Sequence, residues 1–172
     1  MDLIIREPVL SDVEKMLNYI NELITERTYI LLDKIQDIDS EREWVRRRVE
    51  DIENKKVVHF VAEDKKSGKI VGGCDFLRKE FRESHIVEMG ISVLKDYRGK
   101  GIGKRLFNRC YSASKELWGD DVKFIRLKVF ENNQIAINFY RKLGFEVVAK
   151  LPNAIKWNDG KLIGCYVMMR EF

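Results

Sequence analysis

Hydrophobic positions along this chain switch between a period of two and a period near 3.6, and the switches divide it into strands and helices. Leu3 to Arg6 reads as a short strand. Ser11-Asp12 offers an N-cap to a helix whose apolar stripe is Val13, Met16, Leu17, Ile20, Leu23 and Ile24. A less regular helical stretch is expected to follow through about residue 35. A second helix opens at Asp39-Ser40 and carries Trp44, Val45, Val49 and Ile52. Val57 to Glu63 and Lys69 to Leu77 alternate as strands, joined at Lys66-Ser-Gly-Lys into a hairpin, and His85 to Val93 is a third strand. Residues 102 to 118 return to helical spacing, with Ile102, Leu106, Cys110, Ala113 and Leu117 on one stripe. Lys123 to Phe130 alternates again, placing Ile125, Leu127 and Val129 on one side. Asn132 or Asn133 caps a helix holding Ala136, Phe139, Tyr140 and Leu143, which stops at Gly144 in a C-cap position. Phe145 to Lys150 and Leu162 to Met169 close the chain as strands, with Asn158-Asp-Gly in the turn between them.

The resulting order, β-α-α-β-β-β-α-β-α-β-β, predicts an α/β fold (an α+β mixed sheet) with an antiparallel half and one βαβ unit of right-handed crossover. No linker, repeat or low-complexity segment interrupts it. Residues 1–172 are therefore expected to form a single domain, long enough to bury a core without staples.

One junction carries more chemistry than the rest. Between the strand ending at Val93 and the helix from Ile102 lies Leu-Lys-Asp-Tyr-Arg98-Gly99-Lys100-Gly101, with Gly103 just inside the helix. Glycines strip side chains from this turn, so backbone N–H groups and the positive end of a helix dipole lie bare. Arg98, Lys100, Lys104 and Arg105 add positive charge, and the junction reads as a phosphate site. It is not a nucleotide P-loop, because Gly103-Lys104 is followed by Arg105 where a magnesium-holding hydroxyl is needed. Nor is it the dinucleotide fingerprint, since Gly101 and Gly103 are separated by one residue instead of two.

Charge and cysteine content narrow the class. A net charge of +4 favours anionic ligands, and a polyphosphate cofactor meets that as well as nucleic acid would. The basic run at Arg46-Arg47-Arg48 is flanked by Glu41, Glu43, Glu50 and Asp51, which makes it a solvated helix face and leaves no nucleic-acid partner expected. Cys74, Cys110 and Cys165 are odd in number and far apart, so a cytoplasmic location is expected, with no disulfide framework and no cysteine metal site. The N-terminal apolar run is too short for a signal peptide, and no segment would span a bilayer, so no membrane partner is expected.

The pattern Arg98-x-x-Gly101-x-Gly103 after a strand closing on Ile91-Ser92-Val93 resembles the acetyl-CoA pyrophosphate loop of the GCN5-related N-acetyltransferase (GNAT) superfamily. Asn133-x-x-Ala136-x-x-Phe139-Tyr140-x-x-x-Gly144-Phe145 is similar to a second motif of that superfamily, and the element order also matches it. Residues 156 to 168 look like the branch that holds phosphinothricin-type and amino-acid-type acetyltransferases, although many of that branch carry aspartate where this chain has Gly164. The resemblance implies acetyl-CoA as cosubstrate and no metal. It implies that Arg98, Gly99, Lys100, Gly101, Ile102, Gly103 and Lys104 cradle the pyrophosphate. Ile91, Ser92 and Val93 would border the pantetheine arm, with backbone groups of Ile91 and Val93 pairing with its amides and Ile91 N–H or a neighbour stabilising the oxyanion. Asn133, Ala136 and Tyr140 would complete the cofactor contacts.

Transfer of an acetyl group to an amine needs a base for the ammonium, a donor for the oxyanion and a proton for the departing thiolate. Asn133, Ala136 and Tyr140 share a helical face, and the resemblance makes the Tyr140 phenol the general acid. Glu88, on a stretch that resembles the phosphinothricin branch, and His85, which needs no tuning to titrate near neutrality, are both candidates for the base. No covalent intermediate is needed, so the cysteines read as small buried hydrophobes. Glu26, Arg27, Tyr29 and Trp157 are candidates for lining the acceptor site. The expected acceptor is a small-molecule primary amine: an amino acid, a polyamine or a xenobiotic. A protein N-terminus or lysine, and a non-catalytic acyl-CoA-binding role, are the alternatives. A homodimer is implied only by analogy with relatives.

Overall fold

A computed structural model of the chain describes residues 2–27 and 29–172. The elements are β1 (Leu3–Arg6), α1 (Val13–Thr25), α2 (Ile38–Glu53), β2 (Val57–Asp64), β3 (Ile70–Arg78), β4 (Ile86–Val93), α3 (Ile102–Trp118), β5 (Phe124–Phe130), α4 (Gln134–Lys142), β6 (Glu146–Lys156) and β7 (Leu162–Glu171). Their order is the one the hydrophobic pattern predicts, and the strands follow the order β1-β2-β3-β4-β5-β7-β6. β4 and β5 run parallel, which with α3 between them in sequence makes the expected βαβ unit. The β1–β2, β2–β3, β5–β7 and β6–β7 pairs are antiparallel. Contacts gather into two compact units, residues 1–78 with 89–120, and residues 79–88 with 121–172.

In the first unit, Val57 through Ala62 and Ile70 through Cys74 are buried on both faces, as strands covered by helices on each side must be. One face takes α3: Leu106 lies against Gly72, Phe107 packs on Phe76 at 5.9 Å, and the Cys110 thiol donates to the Cys74 carbonyl at 3.1 Å. The other face takes α1 and α2, through Tyr19 against Gly73 and Trp44 edge-on to His59 at 6.0 Å. Arg6 clasps the start of the chain to this layer, bonding Asp12 at 2.7 Å and Glu63 at 2.5 Å.

Three boundaries around α1 and α2 differ from expectation, each for a local reason. Asp12 does not cap α1 with its side chain, because its carboxylate is taken by Arg6 and by the Val9 N–H, and a short 3₁₀ turn precedes the helix. α2 begins at Ile38, since Asp37 accepts from the N–H groups of Asp39 and Ser40 and is the true cap. The helical stretch expected through residue 35 is absent among the described residues there, and Thr28 lies outside them. Arg27 turns left-handed (φ 50°), and Asn21 then closes the loop by exchanging hydrogen bonds with the Gln36 backbone at 2.9 and 2.8 Å.

In the second unit, Ile125, Leu127 and Val129 are buried along β5, which pairs with β7 from Phe124 to Phe130. α4 is capped by Asn133, whose side chain accepts from Ala136 N–H at 3.1 Å. It ends in a Schellman turn: Gly144 (φ 85°) donates to Arg141 and Phe145 donates to Tyr140, both at 3.0 Å. β6 runs to Lys156, past the expected end at Lys150.

Gly72 sets how closely β3, β4 and α3 approach. A methyl group there would stand 3.1 Å from Leu106, 3.2 Å from the Ser92 carbonyl and 3.3 Å from Val93. Gly72→Val should lower the unfolding free energy by about 1–3 kcal/mol, read from urea denaturation, because neither a backbone carbonyl nor a packed Leu can yield the space.

Candidate functional site

The glycine junction lies in the first unit and is held by groups on either side of it. Leu94 is wholly buried and donates to the Val71 carbonyl at 3.0 Å, which fixes where the chain leaves β4. Arg98 folds back to donate to the Val93 carbonyl at 2.8 Å and pairs with Glu26 at 2.7 Å. The other Glu26 oxygen accepts from Lys95 N–H at 2.9 Å. Glu26 thus braces this junction from the end of α1. Gly99 (φ 74°) and Gly101 (φ 77°) are left-handed, and a methyl group on either would meet nothing within 4 Å. Backbone conformation, not crowding, is what demands glycine there.

Gly101 is the N-cap residue of α3. No side chain caps that helix start and no acidic residue occupies its first turn. Ile102 is buried and pins the helix, while Lys104 and Arg105 are exposed beside it. Lys100 reaches back to the Asp96 carbonyl at 2.7 Å and lies over the Tyr97 ring. A 17-residue helix therefore opens on uncapped N–H groups amid cations, an arrangement suited to a phosphate.

Ile91, Ser92 and Val93 form the last part of β4 in this unit. Sequence reasoning missed the group that holds them. Tyr19, buried in α1, donates to the Ser92 carbonyl at 3.0 Å and lies 2.6 Å from the Ser92 hydroxyl. Burial pushes its phenol well above the ordinary value, so it stays a proton donor. The available signal was its helical spacing from Met16 and Leu23, which placed a polar tip on the buried stripe.

On the same face stands a polar cluster that the sequence did not single out. His59 and Asp75 oppose each other in the β2–β3 register. His59 is buried with Nδ1 unpartnered, and burial, with Arg48 adding to it, drives its value down from 6.5 to about 3. It is a neutral imidazole at physiological pH. Asp75 pairs with Arg48 at 3.3 Å, and Arg48 in turn covers the Trp44 ring at 4.9 Å. Burial raises the Asp75 carboxyl above its ordinary range against the pull of Arg48. A methyl group on Gly90 would stand only 2.8 Å from Asp75 Oδ1, so the missing side chain at 90 is the space this carboxylate fills.

The remaining sequence candidates divide between the units. In the first, Arg27 and Tyr29 are exposed after α1. In the second, Glu88 is half-buried and shared between Arg126 at 3.1 Å and Lys79 at 3.9 Å, and Arg126 also holds Glu83 at 2.9 Å. His85 is exposed just before β4 and meets Phe124 edge-on. Tyr140 is buried between Phe139 and Phe145, with ring centroids 5.5 and 5.9 Å away. Ala136 is half-buried one turn before it, and Trp157 packs edge-on to Phe130.

Gly164 has a steric explanation in the second unit. A methyl group there would lie 2.9 Å from Glu131 Oε2, while Gly164 N–H donates to Glu131 Oε1 at 2.6 Å. A carboxylate does stand at this position, but it is supplied by the residue after β5 and is paired with Lys150. All three cysteines are buried and free. Among the described residues no cluster of His, Cys, Asp and Glu is arranged to hold a metal, and no helix is long and apolar enough to cross a membrane.

Residues 19–145 match the acetyltransferase (GNAT) family, and the chain belongs to that family. Over 70 residues it is 37% identical to an N-alpha-acetyltransferase of Sulfurisphaera tokodaii, covering 41% of this chain. Over 69 residues it is 32% identical to the L-amino acid N-acyltransferase MnaT of Escherichia coli, covering 40% of this chain. These matches span only 40% and 38% of the two relatives' own lengths. The fold superposes on a GNAT superfamily phosphinothricin acetyltransferase from Sinorhizobium meliloti, solved in complex with AcCoA. That match has a TM-score of 0.82 at 20% identity, over 100% of this chain and 89% of that one.

His59 makes a testable contribution to acid sensitivity. Because its folded value is depressed, the stability it contributes is present above about pH 6.5 and is lost as pH falls towards 3. Relative to His59→Gln, the wild type should lose about 1.4 kcal/mol per pH unit on acidification below pH 6.5, measured by denaturant titration at several pH values. Parallel curves for the two proteins would show that the imidazole is not held neutral.

Proposed function

We propose that the chain is an acetyl-CoA-dependent N-acetyltransferase that moves the acetyl group directly from the CoA thioester to a primary amine of a small molecule. The observation that carries this reading is the uncapped start of α3 behind two left-handed glycines, with cations around it and no acidic residue in its first turn. Family membership and the AcCoA-bound neighbour support it. The two units would work as one catalytic domain, since the family match runs through both.

In this reading Arg98 to Lys104 receive the pyrophosphate, with Glu26 holding Arg98 and Lys95 in place instead of lining the acceptor site. The backbone of Ile91 and Val93 takes the pantetheine amides, and Tyr19 keeps that strand in register through Ser92. Tyr140 gives its proton to the departing sulfur, the burial of its ring among Phe139 and Phe145 orienting the phenol. Asn133 orders α4 beneath it through the Ala136 cap. For the base, Glu88 is shared between two cations, which favours its role as an anchoring charge, and His85 is exposed. The three free thiols support a cytoplasmic location for the enzyme. The name of the Sulfurisphaera relative supports a second acceptor class, the α-amine of a protein N-terminus.

The test is a turnover assay with acetyl-CoA, read as released thiol, over a panel of amino acids, polyamines, arylalkylamines and peptides. Tyr140→Phe should lower kcat about 10²-fold on the best acceptor while acetyl-CoA affinity, measured by calorimetry, is retained. Unchanged turnover in that variant would remove Tyr140 from the mechanism. A chain that binds acetyl-CoA yet transfers to no amine would be an acyl-CoA-binding module instead.

A further inference from the structure

Direct transfer leaves one chemical requirement without a suitable group. An acceptor amine arrives as an ammonium, and its lone pair is released only when a nearby group takes a proton. Glu88 is committed to ion pairs, with Arg126 at 3.1 Å and Lys79 at 3.9 Å on it and Arg126 held in turn by Glu83. His85 stands before the strand, exposed, against Phe124.

The first unit holds a carboxylate of the opposite character. We propose that Asp75 is the general base, receiving the acceptor ammonium beside Gly90 and taking its proton. The placement comes from β3 and β4. Asp75 Oδ1 fills the space that a side chain at Gly90 would occupy, and so lies against the backbone just before Ile91. Ile91 to Val93 is the segment that the proposed function assigns to the pantetheine arm, so this inference rests on that reading. The Asp75 side chain keeps 29% of its surface open.

The surroundings suit a proton acceptor. Arg48 is its cationic partner in this cluster, at 3.3 Å, and is itself drawn onto the Trp44 ring. Tyr19, from α1, is a neutral donor committed to Ser92. Across the register from Asp75, His59 is buried and neutral, so it adds no charge that would hold Asp75 ionised. Its unpartnered Nδ1 is a second polar atom in the same cluster, and a buried nitrogen without a partner is a group awaiting one. Burial pushes the Asp75 carboxyl upward, against the pull of Arg48, which strengthens it as a proton acceptor.

The proton count closes. Asp75 takes one proton from the ammonium, and the freed lone pair forms the C–N bond to the thioester carbonyl carbon. The C–S bond breaks as the sulfur receives the Tyr140 proton. The nitrogen's second proton leaves to solvent, and solvent restores Tyr140 and deprotonates Asp75. One proton is released overall.

Asp75→Asn keeps the shape and removes the base. The deciding comparison uses the fastest amine of the panel and its aminooxy isostere, for example phenethylamine with O-benzylhydroxylamine. The aminooxy nitrogen is already neutral at pH 7 and needs no base. The variant should lose about 10²-fold in kcat/KM on the amine, stay close to wild type on the aminooxy acceptor, and keep its acetyl-CoA affinity by calorimetry. Retained aminooxy turnover also shows that the variant is folded. Equal loss on both acceptors, or no loss on the amine, overturns the role of Asp75. The same selective pattern in Glu88→Gln with a silent Asp75→Asn assigns the base to Glu88 and also overturns it. A wild-type chain that acetylates nothing overturns the acetyltransfer reading itself, and the role of Asp75 with it.

Discussion

The first unit depends on one constraint: the chain must pass from β4 into α3 without placing a side chain over the helix's first N–H groups. Many helix starts, such as Asp37 before α2 and Asn133 before α4, bring a side chain to cap those donors. Here the cap residue is Gly101, left-handed at φ 77°, and the next left-handed residue back is Gly99. A bare start of this kind is costly unless its position is enforced, because uncapped helices fray. The enforcement comes from outside the turn. Leu94 is buried and bonded to Val71, Ile102 is buried on the far side, and Glu26 ties Arg98 and Lys95 to the end of α1. The free donors are therefore held in a fixed direction with cations around them, which is what a phosphate ligand requires.

The two units treat their half-buried carboxylates differently, and the difference has chemical weight. In the second unit Glu88 belongs to a chain of charges, Lys79, Arg126 and Glu83, that holds it in place. In the first, Asp75 has Arg48 as its cationic contact at 3.3 Å, a neutral imidazole opposite, and a glycine in front. Paired charges are suited to holding a geometry, and a lightly compensated carboxylate is suited to exchanging a proton. His59 reinforces the contrast, since burial has removed the proton that would have made it a second cation beside Arg48.

Element order, the βαβ unit, α3 from Ile102 to Trp118 and β1 from Leu3 to Arg6 were legible because hydrophobic period and glycine punctuation are local properties. The glycine junction was legible for the same reason: a left-handed turn before a helix has few sequence solutions. Less legible were features that depend on who else is nearby. Ser11-Asp12 has the form of a cap, yet Arg6 takes the Asp12 carboxylate. Glu26 has the form of a surface acid, yet it braces Arg98 across 72 residues of sequence. The helical pattern after Thr25 was weak, and the exchange between Asn21 and Gln36 outcompeted it.

By itself, then, the sequence determined the class of fold and the place of the left-handed glycine turn, because both follow from short-range rules of period and conformation. Only the tertiary structure decided which polar groups meet. Asp75 sits alone on β3 in the sequence, and nothing local ties it to Gly90, His59 or Arg48. The register of β2 with β3 and the cover of α1 and α2 bring them together, and burial on that face then lowers the value of His59 and raises that of Asp75. Charge state is a property of surroundings, so it becomes readable only once distant segments are packed against each other.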